Sequence, residues 1–174
     1  DQSMPTSSAA FRQLNPNGLM PVIQVGTFVL WESNTICRFL VRKHARDDLL
    51  PVDPMRAAVV EQWMDWCATT ANTAWRYSFM ALVRKHPDFN DDGEIHRSIQ
   101  SWNAVMTVLD GQLGKTEAFV TGPRFTLADV TVGLAIQRWR ATPMERPHLP
   151  AIDRYFARLR ERRAFRTHCD NGLP

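Results

Sequence analysis

The strongest constraint on this chain is how unevenly its secondary-structure patterns are distributed. From Glu32 to the C-terminus, apolar residues recur at the spacing of amphipathic helices. Before that point lie two short runs rich in β-branched and aromatic residues, 21–25 and 27–31, separated by Gly26. The pattern predicts one β-hairpin followed by helices. Because two strands alone are marginally stable in water, we expect the hairpin to belong to a larger sheet, and nothing else in this chain has a clear strand pattern.

Two domains are predicted from this distribution. The first is a small mixed α/β domain over residues 1–46, and the second is an all-helical domain over residues 54–174. A linker is expected at 47–53. Residues 1–10 are polar and are expected to form a loop, with a short helix ending at Leu14 before an Asn-Pro pair.

The second domain is predicted to be a helical bundle. Its longest helix is expected to begin at Asp53, a capping residue followed by proline in the first turn, and to continue to about Arg84. Its partner, 94–113, carries an apolar stripe on one face. Further helices are predicted at 127–141 and 151–162. Helices of such length usually pack against one another.

Composition indicates a packed protein of a reducing compartment. Hydrophobic residues make up 44% of the chain, which also contains six tryptophans, enough for a core. No run approaches the roughly 18 apolar residues of a membrane span. The three cysteines, Cys37, Cys67 and Cys169, are widely spaced, with no histidine at ligand spacing. We therefore expect a cytoplasmic protein without metal or disulfides, in which Cys37 and Cys67 fill small apolar spaces within helices.

Basic residues are concentrated late in the chain, whose net charge is +3. Arginines that face few acids occur throughout 138–166. Such a region is typical either of a surface for nucleic acid or an acidic partner, or of solvated helix faces and helix C-termini. The second interpretation is favoured because the pattern lacks the interleaved aromatic platform that base stacking requires. No nucleic-acid partner is expected.

The first of three informative motifs is the stretch 14–23, LNPNGLMPVI. The Asn-Gly pair within it marks a tight turn. A cis bond between Met20 and Pro21 would expose the N–H and C=O of Val22 at a sheet edge, where they would pair with an extended peptide-like ligand. A trans proline at the first position of a strand is the commoner alternative. The residues alone leave both open.

The second motif is Trp31-Glu32-Ser33, which ends a strand and opens a helix. The N–H and hydroxyl of Ser33 lie where an anion is favoured, at the positive end of the helix. The carboxylate of Glu32 would accept hydrogen bonds from an ammonium group. The two residues would thus hold both charges of an amino-acid end group. Ordinary capping of the helix by Ser33 is the alternative, and on these residues alone it is favoured.

The third motif is FTLADVTV, residues 125–132. Thr126 and Asp129 have the spacing of a capping box, in which the carboxylate bonds back to the capping residue's N–H. This interpretation gives Asp129 a structural role rather than a catalytic one.

In this order and with these separations, the three motifs resemble those of the glutathione transferase family. The resemblance covers the chain from about Phe11 onward, and the stretches WMDW (63–66) and FMALVR (79–84) are similar to its bacterial members. It implies a two-domain glutathione-transferase fold: a thioredoxin-like α/β N-terminal domain, here partial, and an all-α C-terminal helical bundle.

The resemblance also implies a set of site residues. Those for glutathione are Met20, Pro21, Val22, Glu32 and Ser33. Pro21 would be cis, and the backbone of Val22 would pair with the cysteinyl part. Glu32 and Ser33 would hold the γ-glutamyl end. Those for a second, electrophilic substrate are Trp75, Arg76 and Met80, where Arg76 would bind an acidic group. An ordinary exposed arginine is the alternative for Arg76.

The function implied is attack of the glutathione thiolate on a small electrophile, by conjugation or dehalogenation, as in detoxification. Glutathione is then a co-substrate, and family members form homodimers, so we expect one here. The resemblance also implies that the residue that stabilises the thiolate lies in a segment before position 1. Tyr77 and Tyr155, in helices of the second domain, are poor substitutes. The alternative is a non-catalytic relative that serves as a binding or interaction protein.

Overall fold

The computed structural model describes residues 4–170. The chain divides into two compact units, which we call the N-terminal and C-terminal units. Their boundary lies between Leu50 and Pro51, inside the segment 47–53 that is predicted to be a linker.

The N-terminal unit is a β-hairpin flanked by two helices. Its elements are α1 (Ala9–Leu14), β1 (Val22–Val25), β2 (Phe28–Trp31) and α2 (Ser33–Lys43). The strands are antiparallel, with Val22 opposite Trp31 and Val25 opposite Phe28. Gly26 makes the turn with φ +61°, a conformation that L side chains rarely adopt. The predicted hairpin is confirmed.

The predicted loop over residues 1–10 is wrong at its end. Helix α1 begins at Ala9 because the Oγ of Ser8 accepts a hydrogen bond of 3.1 Å from the N–H of Phe11. This capping satisfies a first-turn donor of a six-residue helix. The buried ring of Phe11 then anchors the helix to the unit.

The C-terminal unit is all-helical. Its elements are α3 (Pro54–Trp66), a π-helical turn (Cys67–Ala71), α4 (Asn72–Leu82), α5 (Asp92–Thr116), α6 (Leu127–Ala141), α7 (Pro150–Arg160) and α8 (Arg163–His168). Helix α5 packs against α4 and α7, and α3 packs against α6. The core is built from large side chains that these helices bury completely, among them Met64, Trp102, Met106, Leu109, Ile136, Ile152 and Leu159.

The single long helix predicted from Asp53 to about Arg84 is wrong in one respect. The helical path is continuous, but the π-helical turn Cys67–Ala71 divides it into α3 and α4. A π turn widens the helix locally and shifts the side chains that follow it to a different face. Periodicity at 3.6 residues does not reveal such an insertion, because both halves keep their own helical spacing.

Most of the late arginines are exposed, as expected, but several also contact aromatic rings. Five of them lie over aromatic rings: Arg138 over Trp75, Arg140 over Phe156, Arg146 over Trp139, Arg158 over Phe119 and Arg162 over Phe125. These rings come from several different segments of the chain. Sequence neighbours alone therefore did not show the pairing.

Candidate functional site

The hairpin brings the first two sequence motifs to one end of the N-terminal unit. Val22 is the first residue of β1 and lies opposite Trp31, the last residue of β2. Opposite residues of an antiparallel pair have Cα atoms roughly 5 Å apart. Met20 and Pro21, which precede β1, therefore lie at the same end as Glu32 and Ser33, which follow β2.

The peptide bond between Met20 and Pro21 is cis. Of the two alternatives that the residues left open, the structure has the one that the family resemblance implies. Met20 and Pro21 are both exposed, and Val22 is half-buried. The backbone of this segment thus lies at the surface at the start of β1.

Asn15 organises this segment. Its sequence pattern indicates only the end of a helix. Its side chain is 3% exposed. Its Nδ2 donates to the carbonyl of Leu19 over 2.6 Å, and its Oδ1 accepts from the N–H of Asn17 over 3.1 Å. The second bond is an Asx turn, a recognisable signal in an Asn-Pro-Asn-Gly sequence. Asn15 thereby fixes the loop that leads into Met20.

Glu32 has an unusual backbone conformation. It is the residue that precedes helix α2, with φ 72° and ψ 113°. A positive φ is uncommon for a residue with a side chain, and such strain concentrates at functional sites. The carbonyl of Glu32 accepts the first helical bond, from the N–H of Ile36 over 2.9 Å.

Ser33 is the first residue of α2, and it is exposed. No side chain caps this helix, so the alternative in which Ser33 caps its own helix does not hold. The N–H groups of a first turn have no acceptor within the helix, and they carry the positive end of its dipole. Ser33 and the carboxylate of Glu32 thus present a favourable place for an anion beside an acceptor for a cation.

The predicted residues for a second substrate also come together. Trp75, Arg76 and Met80 all line one open cleft of the C-terminal unit, with a volume of about 530 Å³. Its wall is continued by Phe79 and by two arginines, Arg84 and Arg138. Arg76 is exposed, so it is at once a surface arginine and a cleft residue.

Arg138 was missed as a site residue. It comes from α6, and its guanidinium lies 4.4 Å from the centroid of the Trp75 ring and 5.2 Å from that of Phe79. Burial lowers the pKa of Arg138. One signal was available: α6 is apolar nearly all round, and a helix of that kind is buried, so that an arginine within it is partly buried too.

The three cysteines and Tyr155 are unsuited to activate a thiol. Burial raises the pKa of Cys67 to about 11, and it also raises the pKa of Cys37 and of Cys169. Burial, and then the charge of Asp129, raise the pKa of Tyr155 well above its usual value. The Tyr155 hydroxyl donates to the Oδ1 of Asp129 over 2.8 Å.

The predicted capping box is confirmed, with Asp129 in a structural role. Its Oδ2 accepts from the N–H of Thr126 over 2.7 Å, and its Oδ1 accepts from the N–H of Val120 over 2.9 Å. The carboxylate is completely buried. With the bond from Tyr155, it joins three segments of the C-terminal unit. Burial raises the pKa of Asp129, although these hydrogen bonds favour its charged form.

Two features are absent from residues 4–170. No group of three or more His, Cys, Asp and Glu side chains is arranged to hold a metal ion. No helix is both long enough and apolar enough to cross a membrane.

Residues 2–43 match the family model for the N-terminal domain of glutathione S-transferase. The chain is 33% identical over 160 residues to the glutathione S-transferase GstB of Escherichia coli, a match that covers 91% of this chain and 76% of that protein. It is also 33% identical to the theta-class glutathione S-transferase of Xanthomonas axonopodis pv. citri, whose structure was solved with glutathione bound. That structure superposes with a TM-score of 0.88 and covers 97% of this chain and 81% of its own.

A more distant structure, a glutathione transferase of Bombyx mori, is 22% identical and superposes with a TM-score of 0.81 over 96% of this chain and 76% of its own. At that identity it supports the fold alone. Fold and sequence likeness together define a transferase of the two-domain, glutathione-using class. The chain belongs to the glutathione S-transferase family, with a thioredoxin-like N-terminal domain and an all-helical C-terminal domain. The resemblance inferred from the three motifs is confirmed.

Proposed function

We propose that this protein binds glutathione at the hairpin end of its N-terminal unit and directs the glutathione thiolate at a small electrophile. The γ-glutamyl end would be held by Glu32 and Ser33, and the cysteinyl part by the backbone of Val22. The observation that carries the proposal is the meeting of these three residues at one end of the hairpin.

The chemistry of this end matches an extended tripeptide. The γ-glutamyl group carries an ammonium and a carboxylate on one carbon, and Glu32 and Ser33 offer an acceptor and an anion site on consecutive residues. The helix dipole of α2 and the N–H of Ser33 in its first turn favour the carboxylate. A strand's N–H and C=O suit a peptide segment laid beside it.

Catalysis would consist of supplying the thiolate at working pH. A thiol with a pKa near about 8.5 is mostly protonated at neutral pH, and lowering that pKa creates the nucleophile. We assign binding of glutathione to the N-terminal unit and placement of the electrophile to the cleft of Trp75, Arg76 and Met80. The group that lowers the thiol pKa is not assigned to any of the cysteines or tyrosines discussed above.

The test is retention on glutathione immobilised through its sulfur, which leaves the γ-glutamyl end free. The wild-type protein is expected to be retained and eluted by free glutathione. Ser33→Ala is expected to lose retention, because a hydrogen bond to a charged group contributes about 1.5–3 kcal/mol, or more than tenfold in affinity. The control is Thr35→Ala, an exposed hydroxyl of the same helix, which should be retained normally. Equal behaviour of the two variants would contradict the proposal.

Turnover separates this function from the non-catalytic alternative. With glutathione and 1-chloro-2,4-dinitrobenzene, an enzyme forms the aryl thioether at a rate above the uncatalysed reaction. Binding without acceleration across several electrophiles would favour a binding or interaction protein instead. The late arginines give no specific support to nucleic-acid binding, since several of them are engaged with aromatic rings.

We also propose that the protein acts as a homodimer in the cytoplasm and takes part in detoxification, as its family membership suggests. Light scattering coupled to size-exclusion chromatography tests the dimer directly. A mass of one chain at micromolar concentration would contradict it.

A further inference from the structure

The cleft of the C-terminal unit is lined by three arginines and by no acidic side chain. Arg76 and Arg84 are exposed, and Arg138 is half-buried. Among residues 4–170, none of the three forms an ion pair with a carboxylate. Positive charge is therefore gathered at one wall without compensation from the described protein groups.

Other arginines of the same unit are compensated. Arg140, two residues beyond Arg138 on α6, donates to the carboxylate of Asp153 over 2.6 Å. Arg97 pairs with Glu94, and Arg160 pairs with Asp170 over 2.7 Å. These three arginines are each neutralised by a neighbouring acid, whereas the lining of the cleft supplies none.

Arg138 is the least solvated of the three. Its Nε is buried and has no hydrogen-bond partner within the described part of the chain. Burial lowers the pKa of Arg138; Cys67 raises it, and the neighbouring charge of Arg84 lowers it by a smaller amount. An anion placed between the two arginines would relieve both costs, because charge-assisted hydrogen bonds to a carboxylate are strong and arginine presents two parallel donors.

Beside the arginines, the lining holds an aromatic and apolar patch and two polar residues, Asn72 and Thr73. Trp75 and Phe79 meet edge to face with their centroids 5.1 Å apart, and Met80 lies beside them in the lining. A planar apolar group would pack against these side chains. The site thus offers an apolar surface with a cationic rim on one side.

We propose that this cleft selects electrophiles that carry a carboxylate joined to an aromatic or other apolar group. The identification of the ligand as an electrophile rests on the proposed function, whereas the preference for an anion rests on the arginines alone. The carboxylate would lie between Arg84 and Arg138, with Arg76 adding to the field at the exposed side.

The reaction balances without an oxidant or a reductant. With a 4-(halomethyl)benzoate, the glutathione thiolate attacks the benzylic carbon, a C–S bond forms, and the C–halogen bond breaks. The halide leaves with the bonding electron pair, and the thiol proton has already gone to solvent. The carboxylate is unchanged and serves only to orient the substrate.

The first experiment measures binding without glutathione. The probes are 4-methylbenzoate and 4-methylbenzamide, which share a shape and differ by one charge, and binding is followed by the tryptophan indole N–H signals in NMR. Wild-type protein is expected to bind the acid about tenfold more tightly, the value of one charge-assisted hydrogen bond. Arg84→Met and Arg138→Met should each bring the ratio close to one, whereas Arg154→Met, an exposed arginine of α7, should leave it unchanged.

A wild-type ratio near one, or a preference that survives in the Arg84→Met, Arg138→Met double variant, would overturn the proposal. Arg84 is exposed, so Arg84→Met tests it even where Arg138→Met fails to fold, as judged by circular dichroism. Added salt should lower the ratio in the wild type, because salt screens charges that are open to solvent.

A second experiment distinguishes the electrophile from the glycine carboxylate of glutathione as the source of the anion. Affinities for glutathione and for its glycine monoethyl ester are compared in the wild type and in Arg84→Met. If glutathione and its ester each bind Arg84→Met with the same affinity as the wild type, the anion at the arginines comes from the electrophile. A loss of glutathione affinity in the variant, with no change for 4-methylbenzoate, would assign the arginines to the tripeptide and overturn the proposal.

Turnover links the cleft to the reaction. With glutathione, kcat/KM for 4-(bromomethyl)benzoate is expected to exceed that for 4-(bromomethyl)benzamide about tenfold, and the excess should vanish in Arg84→Met. Anion preference in binding, without any turnover, would contradict the proposed function and leave the selectivity of the cleft established. Turnover with no preference for the acid would support the proposed function and contradict the selectivity of the cleft.

Discussion

The two units of this protein differ in how they build a binding surface. The N-terminal unit buries few side chains, among them Phe11, Asn15 and Ile36, and leaves Leu19 and Met20 more than half exposed. The C-terminal unit completely buries large residues from α3, α5, α6 and α7. In the first unit the candidate site is made mainly of backbone groups placed by turns and a helix end. In the second it is made of side chains fixed by a packed core.

The difference predicts how each unit responds to change. A substitution at the hairpin end should alter affinity with little effect on folding, since the groups that matter are exposed. A substitution in the core of the helical unit should alter folding first. Each prediction below tests one side of this contrast.

The largest effect is expected at Asp129. Asp129→Ala leaves the N–H groups of Val120 and Thr126 and the hydroxyl of Tyr155 without their acceptor in the core. Buried donors left unpaired cost about 1–3 kcal/mol each, so the free energy of unfolding should fall by about 3 kcal/mol or more. Denaturant titration followed by circular dichroism measures this.

The control for Asp129 is Asp153→Ala. Asp153 pairs with Arg140 at the surface, where both side chains are at least 40% exposed. Surface pairs contribute only about 0–1 kcal/mol. If Asp129→Ala lowers the free energy of unfolding no more than Asp153→Ala does, the hydrogen bonds of Asp129 do not have the structural role given to them here.

The cysteines give a second contrast between the units. Cys67 of the helical unit is 8% exposed, and burial raises its pKa to about 11, whereas Cys37 of the N-terminal unit is half-buried. Since only the thiolate reacts, iodoacetamide at pH 8 should modify Cys67 about a hundredfold more slowly than the same residue in denaturant. The native rate should rise with pH toward 11. Mass spectrometry of timed samples would show Cys37 modified first; the reverse order would break the contrast.

Asn15 should affect both folding and binding, because it is the one buried polar side chain of the hairpin loop among the described residues. Asn15→Ala removes its bonds to Leu19 and Asn17 and is expected to cost about 1–2 kcal/mol of stability. Loosening the loop before Val22 should also weaken glutathione binding several-fold. Asn17→Ala is the matched control, since Asn17 is exposed and its side chain bonds only to Asn15. Unchanged glutathione binding in Asn15→Ala would remove this residue from the site.

The smallest effect is expected at Glu32, and it has opposite signs for folding and for binding. Glu32→Gly relieves a positive φ, which should raise stability by about 1 kcal/mol once the extra chain entropy of glycine is subtracted. The same change removes the carboxylate and should weaken glutathione binding. Glu32→Gln keeps the backbone cost and should leave the melting temperature unchanged. If Glu32→Gln raises the stability, or if Glu32→Gly does not raise it, the backbone conformation of Glu32 is not strained.

Much of the fold was predictable from sequence, because its signals are local. The β-branched runs around Gly26 predict the hairpin. Asp53 predicts the start of helix α3, which it caps: its Oδ1 accepts a hydrogen bond from the N–H of Arg56 over 2.9 Å. The hairpin end of the site was predictable for the same reason, since Pro21, Glu32 and Ser33 lie in short turn and cap motifs. These elements depend on neighbours within a few residues.

The rest has no comparably clear local signal. Arg138 enters the cleft because α6 packs against α3 and the π-helical turn, which lets its guanidinium lie over Trp75 of α4. The π-helical turn Cys67–Ala71 leaves the helical period intact on either side of it. Asn15 acts through the carbonyl of Leu19, a contact that a turn motif suggests but does not fix. Long-range packing decides the position of Arg138, whereas the π-helical turn and the Asn15 contact are local features that periodicity and turn motifs do not fix.

The most direct test of the central claim compares glutathione with cysteinylglycine, which lacks the γ-glutamyl group, by calorimetric titration of the wild-type protein and Ser33→Ala. If Glu32 and Ser33 hold the γ-glutamyl end, Ser33→Ala should weaken glutathione binding about tenfold and leave binding of cysteinylglycine unchanged. An equal loss for both ligands, or no loss for glutathione, would contradict the placement of the tripeptide at this end of the hairpin.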